Sequence, residues 1–378
     1  MIRLAAVIDT FDIGGFEMAC LELLRRLDRK RFAPSIYTFR PGALVDAARN
    51  AGIPVVVGHD KAPDVRSWRL RDSRARESWT PALGSMLARD GTDLCFVWGW
   101  PEAIAAAQAA HVPAIVERVD GPALAGRVSD KSACTRVIVE SQLVRQVLLA
   151  QRSRFGLKAS RVVVIRNGVD LDRFDPLSVD RDRARRSIGI PADAFVFGTI
   201  SRLSPEKNIA QLVEAFASAT TRDAHLRELG RLVLAGPDGG SRKQLERQVR
   251  RAGVADRVVF TGPVSDTPGV LAALDVFCLT SYTEGTPAAV LEAMAMGLPI
   301  IATPVGAVPE MLDGNALLVN VLSHEETTSA MTELARDPRL RRRMGARSRV
   351  LAEGWSMATH VERYEDVLEA AWAEATGV

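Results

Sequence analysis

Two carboxylates, Glu284 and Glu292, lie eight positions apart on either side of a predicted helix start. Thr286 is a favourable N-cap residue and Pro287 suits the first helical position, and the helix is expected to continue to Met296. The unpaired backbone N–H groups at such a start form an anion site, here between two carboxylates. This arrangement suits a ligand with hydroxylated ends and a charged middle, such as a nucleotide-sugar.

Paired carboxylates are also what glycosidases use, and in those enzymes they stand about 5–9.5 Å apart. Glu284 precedes the helix and Glu292 lies on its second turn, at about 1.5 Å of rise per residue. The two groups should therefore contact different parts of a ligand, which makes a hydrolytic pair the less favoured alternative. An exposed helix face is the plainer explanation of Glu292, but Val290, Leu291 and Met294 leave little solvated surface around it.

Two cations, Arg202 and Lys207, follow the predicted strand Phe195–Ile200 in a short loop. At the carboxyl end of a strand they would together neutralise most of a diphosphate. The alternative is one exposed cation and one surface ion pair with Glu206. The sequence alone leaves these two interpretations equally open.

Two glycines, Gly14 and Gly15, precede the first predicted helix and would let a ligand approach the backbone closely. A tight strand-to-helix turn explains them as well, and no G-x-G-x-x-G follows the first strand, which lowers the case for NAD or FAD. Two later glycine-containing segments, Gly236–Gly240 and Thr261–Val264, have the composition of turns.

Apolar strand-like runs alternate with helical periodicity along the whole chain. This alternation predicts an α/β fold of parallel sheets covered by helices on both faces. At 378 residues the chain should form two domains, and Asp170–Arg185, with mixed charge and no periodicity, is the expected linker. Two doubly wound domains that face each other would bind ligands in a cleft, beyond the carboxyl ends of their strands.

The net charge of +3 is uneven, because residues 1–175 contain 26 Lys and Arg against 20 Asp and Glu. An anionic partner or a solvated, arginine-rich surface would explain the surplus. Residues 66–79 are basic and include two tryptophans. They would contact an anionic lipid headgroup or an acidic glycan, or else form a solvated helix anchored by its tryptophans. Nucleic acid is not an expected partner, since the charge is modest and no recognition motif occurs.

No run of 18 apolar residues occurs, so no membrane span is expected, and the N-terminal apolar run is too short for a signal peptide. The four scattered cysteines are expected to be buried in a reducing cytoplasm. The five histidines show no metal-ligand spacing. These features predict a cytoplasmic protein, and the basic segment leaves open a peripheral contact with the inner face of the membrane.

The motifs occur in the order found in family 4 glycosyltransferases, the retaining, nucleotide-sugar-dependent, group 1 type of enzyme with the GT-B fold. The sequence resembles that family from Ile2 to its last helix, most densely between Arg161 and Val319. The resemblance rests on an N-terminal glycine loop, an interdomain segment, an Arg…Lys loop, an E-x7-E motif and the helix and strand that continue it: Gly14–Glu17, Asn167–Asp170, Ser201–Asn208, Glu284–Glu292 and Leu291–Thr303.

The resemblance implies two facing Rossmann-like domains with a cleft between them. Residues 1–172 would form the acceptor side and residues 173–356 the nucleotide-sugar donor side. Residues 357–378 would form a closing helix that packs back onto the first domain.

The resemblance also implies a role for each motif residue. Arg202 and Lys207 would hold the donor diphosphate and stabilise charge on the leaving nucleotide. Glu284 would bind sugar hydroxyls near the anomeric carbon, and Glu292 would bind the ribose hydroxyls. The remaining donor contacts would come from Gly14, Gly15, Val264, Gly285, Thr286 and Pro287.

The implied reaction moves a sugar from a nucleotide diphosphate sugar to a hydroxyl acceptor with retention, in cell-surface polysaccharide, lipopolysaccharide or glycolipid synthesis. The leaving phosphate would take the acceptor proton, and Arg202 and Lys207 would take the place of a metal, so neither a metal nor another cofactor is expected. The acceptor (a glycan, a glycolipid or a small molecule) is not readable. A nucleotide-sugar epimerase on the same fold and a non-catalytic nucleotide-sugar-binding protein are the alternatives.

One departure from the family pattern follows the predicted strand Ala114–Val116, where many members have a histidine and this chain has none. Asp120, as a catalytic residue, or Glu117 would contact the sugar or the acceptor instead. If neither does, this position no longer supports transfer. Nearby Trp98 and Trp100 would stack on a sugar ring on the acceptor side, or pack in the core.

Overall fold

The computed structural model describes residues 1–12, 15–58, 71–120 and 130–378, without the side chains of residues 71–78. The chain divides into two compact units. The first contains Met1–Arg166 and His360–Val378, and the second contains Asn167–Thr359. The predicted two-unit α/β fold class is confirmed, because each unit is built on its own parallel sheet.

The first unit has a parallel sheet that, within the described ranges, has seven strands in the order β3-β2-β1-β4-β5-β6-β7. The strands are β1 (Ile2–Thr10), β2 (Phe32–Arg40), β3 (Val55–Val57), β4 (Leu94–Trp98), β5 (Ala114–Val119), β6 (Arg136–Val139) and β7 (Val162–Val164). The connecting helices are α1 (Gly15–Arg26), α2 (Leu44–Asn50), α3 (Arg71–Arg89), α4 (Ala103–Ala109) and α5 (Gln142–Ala150). Strands β4 and β5 are buried throughout, as expected of a sheet covered on both faces.

The second unit has a six-stranded parallel sheet in the order β10-β9-β8-β11-β12-β13. Its strands are β8 (Phe195–Ile200), β9 (Gly230–Ala235), β10 (Val258–Gly262), β11 (Val276–Leu279), β12 (Ile300–Ala302) and β13 (Ala316–Leu318). Its helices are α6 (Arg181–Ser187), α7 (Ile209–Arg222), α8 (Ala224–Leu229), α9 (Arg242–Arg251), α10 (Thr267–Ala273), α11 (Ala288–Ala295), α12 (Val308–Met311), α13 (His324–Arg336) and α14 (Pro338–Glu353). A last helix, α15 (Met357–Thr376), belongs to the first unit from His360 onward.

The segment Asp170–Arg185, expected to be a linker, is instead part of the second unit, so that prediction was wrong. Phe174 is only 3% exposed and lies in the hydrophobic core of this unit. Helix α6 also begins within the segment. Just before the segment, the Val169 amide donates to the Trp355 carbonyl at 2.8 Å. The sequence predicted a boundary after residue 172. These contacts explain why the two units instead divide between residues 166 and 167.

One helix of the first unit follows a local signal that the periodicity did not reveal. Helix α5 was not predicted, although Ser141 caps it by accepting a hydrogen bond from the Val144 amide at 3.2 Å. All four cysteines are buried thiols, as expected. No helix in the described part of the chain has the length and apolar character needed to cross a membrane.

Candidate functional site

The functional residues predicted in the second unit follow the carboxyl ends of strands β8, β10 and β11. The loops after β8, β9 and β10 are tied together by the backbone: the Leu203 amide donates to the Pro237 carbonyl at 2.8 Å, and the Gly236 amide to the Gly262 carbonyl at 2.9 Å. A Cβ on Gly236 would lie 2.0 Å from the Ser201 carbonyl oxygen, and its φ of 134° is unfavourable for any other residue. The two glycine-containing turns therefore support the loop that carries Arg202 and Lys207.

Lys207 and Glu284 form the central contact of this edge. The Lys207 ammonium lies 2.8 Å from one Glu284 carboxylate oxygen and 2.9 Å from the other. Ser281 donates its hydroxyl to the same carboxylate at 2.5 Å. The Glu284 side chain is only 8% exposed and that of Lys207 is 21% exposed, so the pair is largely removed from solvent. Such a charge-assisted, partly desolvated pair holds both groups in one geometry.

The backbone around Lys207 is fixed by two neighbouring elements. Lys207 ends a single 3₁₀ turn, and Asn208 follows it in the left-handed conformation, with φ of 48°. The Thr280 hydroxyl, just beyond β11, donates to the carbonyls of Lys207 and Asn208 at 3.3 and 3.1 Å. The cation is thus anchored to the strand that leads into the Glu284 loop.

The Glu284 loop is held from the other side by the turn after β12. A Cβ on Gly306 would lie 2.3 Å from the Glu284 carbonyl oxygen, and its φ of 58° also favours glycine. The Ala307 amide donates to the Gly285 carbonyl at 2.8 Å. Close backbone packing therefore sets the position of the Glu284 carboxylate.

Arg202 forms an exposed ion pair with Glu206, which is the alternative that the sequence left open. Its side chain is 62% exposed, and its guanidinium donates to Glu206 at 3.0 Å. Hydrogen bonds from Ser204 first, and then from Arg202, hold the pKa of Glu206 below its usual value, despite an opposing contribution from burial. Arg202 is therefore much more exposed than Lys207, and its ion pair with Glu206 contributes little to stability.

Helix α11 begins at Ala288 with Pro287 as its N-cap, so the predicted cap at Thr286 was wrong. The reason is the backbone of Pro287, whose ψ of 108° is extended rather than helical. The Thr286 hydroxyl oxygen is buried and accepts or donates no hydrogen bond within the described residues. Thr286 therefore presents an unpaired polar atom between Glu284 and the free amides of the helix start.

Glu292 lies on the second turn of α11, as the sequence predicted. Burial raises the pKa of Glu292 to about 7, and the positive charge of Arg173 opposes that rise. Arg173 also donates to the Thr267 hydroxyl at 3.3 Å. With this pKa, Glu292 is partly protonated near neutral pH. A ligand that donates hydrogen bonds to the carboxylate would lower the pKa and favour the charged form.

The other predicted donor residues lie away from the Lys207–Glu284 pair in sequence. Val264 is partly buried against the core of the second unit. Gly15 is the first residue of α1 in the first unit. Gly14 lies outside the described residues, as does much of the basic segment at residues 66–79.

Of the two interpretations of Trp98 and Trp100, their burial supports packing in the core and not stacking on a sugar. Trp98 is 0% and Trp100 1% exposed. Trp100 stacks on Trp79 with ring centroids 5.0 Å apart, and Trp98 packs against Phe96 at 5.1 Å. Their burial and these ring contacts place both side chains in the hydrophobic interior of the first unit.

Glu117 is equally unavailable as an acceptor contact, so this prediction also was wrong. It is 3% exposed, and the Lys131 ammonium binds its two carboxylate oxygens at 2.7 and 2.5 Å. Burial raises the pKa of Glu117 and the Lys131 charge opposes the rise. The pair neutralises itself inside the first unit.

Asp120 directly follows β5 and is the one predicted residue of this region that keeps some exposure, with 21% of its side chain accessible. The guanidinium of Arg118 donates to it at 2.8 Å. Asp120 thus remains available as a contact for a ligand, and its catalytic role stays a prediction.

Sequence reasoning missed three residues that shape the donor-side edge: Ser281, Thr280 and Gly306. Ser281 lies three positions before Glu284, a spacing that would have indicated a local hydrogen bond. The other two act through contacts with distant segments, for which the sequence contains no local signal. Within the described ranges, no group of His, Cys, Asp or Glu is arranged to hold a metal ion.

Comparison with known proteins places these motifs in context. The family model described as Glycosyl transferases group 1 matches residues 180–350, and that of Glycosyltransferase Family 4 matches residues 13–173. The D-inositol 3-phosphate glycosyltransferase of Saccharomonospora viridis is 30% identical over 317 residues, 79% of this chain and 70% of the relative. The protein of the same name from Actinosynnema mirum is 33% identical over 261 residues, 64% of this chain and 61% of the relative, so the match spans less than two thirds of that relative.

Solved structures agree on the architecture. The crystal structure of the Anabaena protein HepE in complex with UDP has a TM-score of 0.80 with this chain. The two chains are 22% identical, and the superposition covers 98% of this chain and 100% of the other. At that identity the likeness establishes the fold, which is the predicted GT-B class.

Proposed function

Because this chain belongs to the group 1, family 4 glycosyltransferases, we propose that it transfers a sugar from a nucleotide diphosphate sugar to a hydroxyl acceptor. The observation that carries the proposal is the Lys207–Glu284 pair, at 2.8 Å, beside the start of helix α11. It combines a cation, a carboxylate and unpaired backbone amides at one edge of one sheet. The donor is proposed to be a UDP-sugar, in line with the UDP bound by the Anabaena relative.

In this proposal the diphosphate lies between Lys207 and the amides at the start of α11. Arg202 leaves its exposed pair with Glu206 and adds a second cation. The Thr286 hydroxyl, buried without a partner within the described residues, supplies a further hydrogen bond. Charge develops on the phosphate as the nucleotide departs, and preorganised donors stabilise that charge most where water is excluded.

Glu284 and Glu292 are assigned to the two hydroxylated ends of the donor. Glu284, fixed by Lys207 and Ser281, accepts hydrogen bonds from the sugar. Glu292 accepts them from the ribose, and binding favours its charged form. Since Glu284 is committed to two donors, it is poorly suited to act as a base, which supports transfer in which the leaving phosphate accepts the acceptor proton and configuration is retained.

The acceptor is proposed to be an anionic polyol or glycan. Both relatives described above are named for D-inositol 3-phosphate, and residues 1–175 of this chain contain 26 Lys and Arg against 20 Asp and Glu. A phosphorylated polyol is therefore the first acceptor to test. Roles in cell-surface polysaccharide, lipopolysaccharide or glycolipid synthesis, with the protein at the inner face of the membrane, remain within the same proposal.

The test begins with thermal unfolding of the protein in the presence of a panel of UDP-, GDP- and ADP-sugars. The nucleotide-sugars that bind are then used as donors in a transfer assay with D-inositol 3-phosphate as the acceptor. We expect a UDP-sugar to raise the unfolding midpoint, and Glu284→Gln to lower transfer by about 100-fold. The control is Glu325→Gln, which removes a carboxylate paired with Arg222 on the surface of the same unit. It should transfer at the wild-type rate.

Three results would contradict the proposal. Absence of any shift with every nucleotide-sugar would exclude the donor class. Conversion of the donor sugar without an acceptor would indicate an epimerase. Binding without turnover on phosphorylated polyols, free sugars or glycolipids would indicate a non-catalytic binding protein.

A further inference from the structure

Strand β5 of the first unit carries a charged residue, Arg118, in its interior. Its side chain is 1% exposed, and the residues paired with it on the two adjacent strands, Trp98 and Ile138, are apolar. Burying an unpaired guanidinium costs several kcal/mol, so its partners must be fixed closely.

Arg118 is held on three sides. Its Nε atom donates to Asp120 at 2.8 Å, and its Nη1 atom donates to the Tyr364 hydroxyl on helix α15 at 2.6 Å. Its guanidinium carbon lies 4.4 Å from the centroid of the Trp98 ring, a cation–π distance. The buried carboxylate Glu140, after β6, is a further source of negative charge that favours the charged guanidinium. Arg118 therefore has little freedom to move.

Asp120 is the one member of this group that meets solvent, with 21% of its side chain exposed. One carboxylate oxygen, Oδ1, accepts from Arg118, while Oδ2 has no hydrogen bond within the described residues. The residue stands immediately beyond the carboxyl end of β5, where open parallel sheets bind their ligands. It thus presents one fixed and one available oxygen at the functional edge of the sheet.

The neighbouring pair in the same strand shows what a purely structural charge looks like. Both oxygens of Glu117 are taken by Lys131, and the carboxylate is only 4% exposed. Nothing in that pair is left for a ligand. The open oxygen of Asp120 distinguishes the two pairs.

We propose that Arg118 is a positioning residue that, locked by Tyr364, aims the free oxygen of Asp120 at the acceptor hydroxyl. This inference rests on the proposed glycosyl transfer. It assigns to the last helix a part in the acceptor site, through a contact 246 residues away in sequence from Arg118. Asp120 would accept a hydrogen bond from the hydroxyl that attacks, and Tyr364 would act only through Arg118.

The test uses Tyr364→Phe, Asp120→Asn and the double variant, with UDP-glucose and D-inositol 3-phosphate as the first substrates and the panel above as the rest. Asp120→Asn retains an oxygen for Arg118 but loses the charge, and should lower kcat about 100-fold. Tyr364→Phe removes only the hydroxyl and should lower kcat about tenfold, because a small misplacement of a reacting group is costly. The double variant should resemble Asp120→Asn alone.

Tyr37→Phe is the matched control. Tyr37 is 2% exposed and donates its hydroxyl to Asp90 at 2.6 Å, so this variant also loses one buried tyrosine hydrogen bond in the first unit. It should lose stability as Tyr364→Phe does but keep the wild-type kcat. UDP affinity and the KM for the donor should remain unchanged in all these variants, since Arg202, Lys207, Glu284 and Glu292, to which the diphosphate, the sugar and the ribose are assigned, lie in the second unit.

The outcomes separate the two levels of the proposal. If wild type transfers no sugar to any acceptor of the panel, the proposed function fails and this inference fails with it. If wild type is active and Tyr364→Phe keeps its kcat, or loses no more than Tyr37→Phe, only the positioning role is overturned. Multiplicative losses in the double variant would likewise show that Tyr364 does not act through Asp120.

Discussion

The carboxyl edges of the two sheets use charge in opposite ways. In the second unit, Lys207 and Glu284 meet at 2.8 Å with 21% and 8% of their side chains exposed, and Arg202 beside them is 62% exposed. In the first unit, Arg118 and the Glu117–Lys131 pair are almost fully buried. One edge keeps cations within reach of a ligand, and the other encloses them.

The difference teaches that a charged residue at a strand end is not by itself a site. Enclosed charges hold a structure in place, and their loss should appear first in stability. Accessible charges exchange partners with a ligand, and their loss should appear first in activity. Substitutions of Arg118, Lys207, His360 and Glu292 should therefore differ in their effects on stability and on activity.

Arg118→Met should have the largest effect on stability, because it leaves the Asp120 and Glu140 carboxylates without the cation that compensates them. We expect a loss of about 3–5 kcal/mol in the free energy of unfolding, measured by urea denaturation. Arg3→Met, which breaks an exposed pair with Asp93 in the same unit, is the control and should remain close to wild type. Equal losses in the two variants would remove the distinction between enclosed and accessible charges.

Lys207→Met should lower transfer by about 100-fold, since the cation acts on the charge that develops on the leaving phosphate. It should cost less stability than Arg118→Met, because Ser281 still donates to the Glu284 carboxylate. Lys243→Met, at an exposed position of α9 in the same unit, is the control. Steady-state kinetics and thermal unfolding report the two effects. A fully active Lys207→Met protein would place the donor phosphates elsewhere.

His360 should make the first unit sensitive to acid. Burial, followed by the nearby charge of Arg118, lowers the pKa of His360 to about 4 from 6.5. The unfolded chain then binds the proton more readily than the folded one, so stability is complete above about pH 6.5 and is lost as the pH falls towards 4. Between pH 7.5 and 5 the loss attributable to His360 should be about 2 kcal/mol.

His360→Gln should remove that part of the acid sensitivity, because the amide can still donate to the Arg166 carbonyl that lies 2.6 Å from the histidine Nδ1 atom. The exposed His225→Gln serves as control. Unfolding midpoints at several pH values report the result. Parallel pH curves for wild type and His360→Gln would contradict the assignment.

Glu292 should have the smallest effect and the opposite pH dependence. Its pKa of about 7 lies above the ordinary 4.5, so the folded state binds the proton more tightly and stability falls as the pH rises from about 4.5 through 7. From pH 6 to 8, wild type should lose about 1 kcal/mol more than Glu292→Gln. The variant should nevertheless bind UDP more weakly, and a variant with unchanged affinity would separate Glu292 from the ribose.

Much of the donor side could be predicted because its signals are local. Glu284 before the helix and Glu292 on its second turn follow from short-range patterns, and only the capping residue differed, since the backbone of Pro287 is extended. The α/β class likewise follows from the alternation of apolar runs and helical periodicity. Local patterns determine which elements form, because each residue's conformational preference is felt over a few positions.

Which side chains meet was decided only by the tertiary structure. Lys207 and Glu284 are 77 residues apart in sequence, and Arg118 and Tyr364 are 246 apart. Both contacts depend on strand order and on how loops and helices pack at a sheet edge. The same packing buries Trp98, Trp100 and Glu117, for which the sequence had left a ligand contact open. Spacing along the chain thus specified the chemistry available, and the burial that separates structural charges from reactive ones arose from contacts between distant segments.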